Sequence, residues 1–138
     1  MNGNKALLDT NVIIFISKQQ IDIDKLLSLY DEFYVSIVTY MEVYGYEFDN
    51  NTEKTLIDNF FDVVEIVNVN MPIAEKVIDY KKGKKKKIKL PDAIILATAN
   101  FIKADLLSDD WDDFINIDSN VVIHNINQFT EGATQNSL

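Results

Sequence analysis

Apolar positions along the chain group into short runs and helical spacings separated by polar turns. Lys5 to Leu8 reads as a short buried strand, and the polar Asp9-Thr10-Asn11 cap opens a helix over Asn11 to Ser17. Asp22 to Tyr30 has a helical spacing of apolar residues, and Phe33 to Ser36 reads as a strand that runs into a helix from Ile37 to about Phe48. A helix over Thr52 to Phe61, a strand at Val63 to Val67 and a helix from Pro72, as its first helical position, to Tyr80 come next. Pro91 starts another helix to about Ile102, and Asp105 to Leu107 and Val121 to Ile123 are the last two strands. Strands alternating with helices predict an α/β fold with a mostly parallel central sheet covered on both faces.

At 138 residues the chain suits one domain, and its 47% hydrophobic and 25% charged residues are the balance of a globular protein able to bury a core. The domain is placed at residues 1–129, with a polar tail at 130–138 expected to be disordered. Cysteine is absent, which excludes disulfide scaffolds, thiolate zinc sites and cysteine nucleophiles. Lys5 is followed by only Ala6, Leu7 and Leu8 before Asp9, too short for a signal-peptide core, and no window approaches the roughly 18 apolar residues of a membrane span. The expectation is a soluble cytoplasmic protein with no membrane partner.

The net charge of −9 argues at first against a nucleic-acid partner. The average conceals a segregation, because seven of the 13 lysines lie between Lys81 and Lys89, leaving six lysines against 22 acids elsewhere, or −16. One basic segment therefore faces a strongly acidic remainder.

Ligands of a parallel sheet bind at the carboxyl ends of its strands. Asp9 directly follows the first strand, and Asp110 follows the strand Asp105 to Leu107 through Ser108 and Asp109. Asp92 lies at the N-terminus of the helix that leads back to that strand. Glu42 sits five residues into a helix leaving the same edge, about 7.5 Å along it, with its side chain leaning back toward the start. Asp9, Glu42 and Asp92 are set in apolar runs, where a half-buried carboxylate is costly unless a cation meets it. The chain has no arginine, so a metal ion is the economical counter-charge, and carboxylate-only ligands select a hard cation, Mg²⁺ or Mn²⁺. Each acid also suits a plainer role: Asp9 as a helix cap, Asp92 as a first-turn acid favoured by the helix dipole, Glu42 as a solvated helix residue.

Four stretches carry a resemblance: Leu7-Leu8-Asp9-Thr10-Asn11, Ser36 to Glu42, Lys89-Leu90-Pro91-Asp92 through Ala99, and Leu106-Leu107-Ser108-Asp109-Asp110 through Phe114. In order and spacing the chain resembles the PIN-domain nucleases, and among them the small VapC-like toxins of toxin–antitoxin pairs. The resemblance implies a single-domain, three-layer α/β/α fold and metal-dependent hydrolysis of RNA phosphodiesters, with Asp9, Glu42, Asp92 and Asp110 holding one or two Mg²⁺ or Mn²⁺ ions. Asp109 is the register alternative to Asp110. Thr10, Asn11 and Ser108 look like residues that orient the acids, or else caps and turn formers. The resemblance further implies an RNA substrate, a cognate antitoxin and a homodimer.

Only two residues separate the lysine run from Asp92, so Lys84, Lys85, Lys86, Lys87 and Lys89 are placed to hold RNA phosphates that the acids alone would repel; the plain alternative is a solvated surface. Tyr40, Tyr44, Tyr46 and Trp111 are the aromatics available to stack bases, or else to fill core and partner interfaces. His124, the single histidine, has no triad motif around it and reads as structural.

Other aspartate enzymes fit less well. A haloacid-dehalogenase-like phosphatase needs a second acid where Asn11 stands, a receiver domain needs an acidic pair ahead of a central phosphoacceptor strand, and dinucleotide binding needs a glycine-rich loop that four scattered glycines do not make. The rival of another class is a PIN-like module that binds RNA or protein without cutting.

Overall fold

The lengths of the strands follow from how few residues between polar caps are apolar on both sides. The computed structural model describes residues 4–83 and 86–129. Its elements are β1 (Lys5–Leu8), α1 (Thr10–Ser17), α2 (Ile23–Leu29), β2 (Glu32–Ser36), α3 (Ile37–Tyr44), α4 (Asn51–Phe61), β3 (Glu65–Val67), α5 (Met71–Lys82), α6 (Leu90–Ile102), β4 (Asp105–Ser108), α7 (Trp111–Phe114) and β5 (Ile123–Asn125), closed by a 3₁₀ turn over Ile126–Phe129. Helix starts are set by short polar side chains that accept from the first free backbone amides: Asp22 from Lys25, Ser36 from Val38, Asn50 from Glu53 and Asn70 from Ile73.

All four strand pairs are parallel, in the order β3-β2-β1-β4-β5. Successive residues of one strand point to opposite faces, and β1 shows it: Ala6 and Leu8 pack with Val12, Ile13, Val43 and Ile57, whereas Leu7 packs with Ile73, Val77, Ile95 and Leu96. Two cores sandwich one sheet, so the chain forms the expected single-domain α/β/α arrangement.

Several expected boundaries move. The helix from Ile37 ends at Tyr44, where Gly45 caps it by donating its N–H to the Met41 carbonyl at 2.9 Å, and not near Phe48. The helix after β3 begins at Met71, so Pro72 is its second residue. The last strand lies at Ile123–Asn125, two residues beyond the expected Val121 to Ile123, because Ile123 is the residue that faces Leu106 in the ladder while Val121 is buried in the core before it. The one-turn α7 was not expected; its first turn holds Asp112 and Asp113, which favour a helix start without any apolar period. The polar tail at 130–138 lies outside the described residues, as do Lys84 and Lys85.

Candidate active site

From β1 the chain crosses to β2 and β3 on one side, then returns to place β4 on the other side of β1. The crevice above the carboxyl ends of β1 and β4 is therefore the switch point, where no connection covers the sheet edge. Asp9 stands in it, its N–H donating to the Leu107 carbonyl at 3.0 Å as the ladder's last rung. The Asp9 carboxylate is held at both oxygens: Oδ1 accepts from Thr10 N at 2.7 Å and Oδ2 from Ser108 Oγ at 2.7 Å. Ser108 Oγ in turn accepts from Asp110 N at 2.9 Å, which bends the chain after β4 so that both of its aspartates return toward Asp9.

One carboxylate oxygen from each of Asp9, Asp109 and Asp110 lies within 4.8 Å of the others. Asn11 Nδ2 donates to Asp109 Oδ2 at 3.3 Å, while Asp109 Oδ1 is buried without a partner. Glu42 is exposed but fixed, its Oε1 accepting from Thr10 Oγ1 at 2.6 Å. Asp92 is half-buried in the first turn of α6, a helix whose start has no side-chain cap.

Electrostatics bind these groups into one site. Burial pushes Asp9 up to about 7, with Asp92 and Asp109 adding repulsion, against the opposing bonds from Ser108 and Thr10. Burial also raises Asp92, followed by the charges of Asp113, Asp110 and Glu42; Lys89, at the α6 N-cap, pulls the other way. Asp110 is raised by burial and by Asp109 and Asp113. A buried ionised Asp9 with no cation beside it is unfavourable by roughly 4 kcal/mol relative to a solvated carboxylate. A hard divalent cation answers each of these features: the donors are all oxygens, three converge, one buried oxygen lacks a partner, and the acids raise one another's pKa.

Asp9, Glu42, Asp92 and Asp110 thus share the edge that the sequence assigns them, and Thr10, Asn11 and Ser108 each donate to one of its carboxylates. Asp92 and Glu42 stand outside the close trio, which takes in both Asp109 and Asp110. The sequence reading missed Asp113, the acid whose charge weighs most on Asp92. Its signal was its place three residues after Asp110, one turn along a helix, but four crowded aspartates masked it. Of the lysines, Lys89 borders the site, whereas Lys86 and Lys87 lie farther back against Tyr80. Ile88 is buried in the core and its carbonyl accepts from Lys81 Nζ at 2.8 Å, which pegs the chain at Ile88. Among the aromatics, Tyr44 is engaged by Asp58 through its hydroxyl and packs on Tyr40 and Phe61, and Tyr46 packs on Phe48. His124 Nε2 lies 3.3 Å from Asp105 Oδ2, at the start of β4 and away from the acids.

Fold and site together define a parallel α/β protein that gathers carboxylate oxygens at its switch point. The chain belongs to the PIN domain family, whose profile matches residues 6–122. PIN domains are hydrolases acting on nucleic acids, and within the family this chain is similar to the VapC-like toxins. It is 30% identical to a chain of a toxin–antitoxin complex from Klebsiella pneumoniae, the match covering 85% of this chain and 95% of that one with a TM-score of 0.66. The fold is shared with VapBC2 from Rickettsia felis bound to a DNA fragment from its promoter, at 19% identity, 88% and 98% coverage and a TM-score of 0.72. It is shared also with DNA-bound VapBC from Salmonella typhimurium, at 21% identity, 88% and 97% coverage and a TM-score of 0.71. No curated protein sequence matches the chain. No helix among the described residues is long and apolar enough to cross a membrane.

Proposed function

We propose that this PIN-domain protein is the toxin of a toxin–antitoxin pair and hydrolyses RNA phosphodiester bonds as an endoribonuclease dependent on Mg²⁺ or Mn²⁺. The observation that carries the reading is the buried Asp9 carboxylate, held from both sides, with oxygens of Asp109 and Asp110 within 4.8 Å. Asp9, Asp92, Asp110 and Glu42 are the ligands proposed, with Asp109 beside Asp110. A divalent ion bound there supplies charge stabilisation for the phosphate and leaving oxygen and lowers the pKa of its water.

The chain's own residues prepare that chemistry. Ser108 and the Thr10 amide fix the Asp9 carboxylate, Thr10 Oγ1 aims Glu42, and Asn11 holds Asp109, so the ligands need little rearrangement. Lys86, Lys87 and Lys89 offset strand phosphates that approach an edge crowded with acids. A cognate antitoxin and a second copy of the chain are the proposed partners, and the exposed Leu27, Leu29 and Met41 are apolar surface for such partners to cover.

The test is the purified protein with a mixed tRNA and mRNA pool, with and without Mg²⁺, together with expression in a bacterium. Cleavage only with metal, and growth arrest by wild type but not by Asp92→Asn, is the result expected. Equal arrest by both forms, with no cleavage in any metal, would leave the non-cutting PIN-like module as the reading.

A further inference from the structure

Trp111 is the single tryptophan of the chain and follows Asp110 directly. Its indole Nε1 donates to the Ile123 carbonyl at 3.2 Å, pinning the ring edge to β5 and leaving the side chain 38% exposed. Behind it opens a cavity of about 600 Å³, within the roughly 300–1,000 Å³ of small-ligand clefts. Ile115, Val121 and Ile123 form its apolar wall, with Asn116 and Ser119 among the polar residues lining it.

This cavity is not isolated. It shares Asp118 and Ser119 with a second, about 380 Å³, which is lined by Lys76 and Lys86 and in turn shares Tyr80, Gly83 and Lys86 with a third, lined also by Lys87 and Lys89. Through these shared residues the three cavities run from Trp111, the residue after Asp110, to Lys89, whose charge acts on Asp92, aromatic at one end and basic at the other. Two acids, Asp79 and Asp118, line the second cavity with Lys76. Asp118 is engaged by its neighbours: the Tyr80 hydroxyl and Asn100 Nδ2, the latter at 2.8 Å, donate to Oδ2, and Asn120 N donates to Oδ1 at 2.9 Å.

We infer that the Trp111 cavity is a nucleobase subsite, in which a base of single-stranded RNA stacks on the indole while Asn116 and Ser119 meet its polar edge. The inference rests on the nuclease reading for its substrate class. Three observations favour a base over an apolar side chain of a protein partner. The ring is one residue from an acid of the site, the cavities continue into lysines suited to phosphates, and the tyrosines that also offer stacking faces are engaged with one another or with phenylalanines. Aromatic stacking tolerates any base, and the polar rim is what discriminates among them.

The native fluorescence of the single tryptophan reports the subsite without any cleavage. Wild-type protein is titrated in millimolar Ca²⁺ with RNA hexamers of each base and with an abasic hexamer of the same charge. Saturable quenching by at least one base, and none by the abasic strand, is expected. Trp111→Leu, followed by the anisotropy of a dye-labelled hexamer because the variant has no tryptophan, should bind roughly 5- to 100-fold more weakly, with Trp111→Phe recovering most of the loss. Quenching alike by the abasic strand, or none by any hexamer while RNA is still cleaved, would overturn the subsite and leave the cavity to a protein partner. Quenching by bases without cleavage in any metal would keep the subsite and remove the nuclease reading.

Discussion

Ser108 Oγ donates to Asp9 Oδ2 at 2.7 Å across 99 residues of sequence, and both side chains are buried. This bond ties the carboxyl end of β4 to that of β1 and opposes the burial that raises Asp9. Ser108→Ala should therefore lower RNA cleavage about 10- to 100-fold in a folded protein and move the acid limb of its pH profile to higher pH, since Asp9 ionises less readily without the bond. Measuring kcat/KM against pH decides it; an unmoved limb would remove Ser108 from the control of Asp9.

Asp9→Asn and Asp92→Asn each remove a carboxylate while keeping its size, and each should abolish metal-dependent RNA cleavage with the fold intact. Circular dichroism confirms folding before assay. Activity within threefold of wild type would exclude that residue from the site.

The metal-free protein should show a particular pH dependence of stability. Asp9 titrates near 3.8 when unfolded and is pushed up to about 7 in the fold. Between those values the folded state holds a proton that the unfolded state has released, so this group's contribution is complete below about pH 4 and is lost as pH rises to about 7. Asn cannot titrate. The advantage of Asp9→Asn over wild type in EDTA should grow by up to roughly 4 kcal/mol across that window and then level off. Urea unfolding of both proteins from pH 4 to 8 gives the answer, and a difference that stays constant would refute the shift.

Divalent metal should stabilise wild type, because a ligand that binds only the folded state adds about 2.7 kcal/mol at 100 times its Kd. Tm should rise by several degrees in millimolar Mn²⁺, with protons released near pH 6–7 as Asp9 gives up its own. In Asp9→Asn both effects should shrink. An unchanged Tm with the acids intact would speak against any metal site.

The lysine segment is tested by salt. Each phosphate contact on a single strand contributes roughly 0.7 to the slope of log affinity against log salt, so Lys86, Lys87 and Lys89 all replaced by Gln should flatten it by up to about 2. RNA binding at several salt concentrations measures this; identical slopes would return the segment to a solvated surface.

Much of the architecture was legible from local chemistry. Short polar caps and unbroken apolar runs sufficed for β1, β2, β4 and the starts of most helices, because those preferences act over a few residues. The parallel arrangement followed from alternation, and with it the shared edge of Asp9, Glu42, Asp92 and Asp110. Where a strand pairs is a different matter: Val121, Val122 and Ile123 are equally apolar, and only the ladder with Leu106 decides that β5 starts at Ile123. The same holds at the site. Sequence spacing left Asp109 and Asp110 as alternatives, whereas the bond that the Asp110 amide donates to Ser108 Oγ turns both toward Asp9, and one turn of helix sets Asp113 against Asp92. Trp111 became distinct from the tyrosines only once packing had paired those with one another and with phenylalanines. Residue type and local spacing determine which chemistry the chain carries; distances between side chains far apart in sequence arise from packing two cores on one sheet, and those distances decide which groups act together.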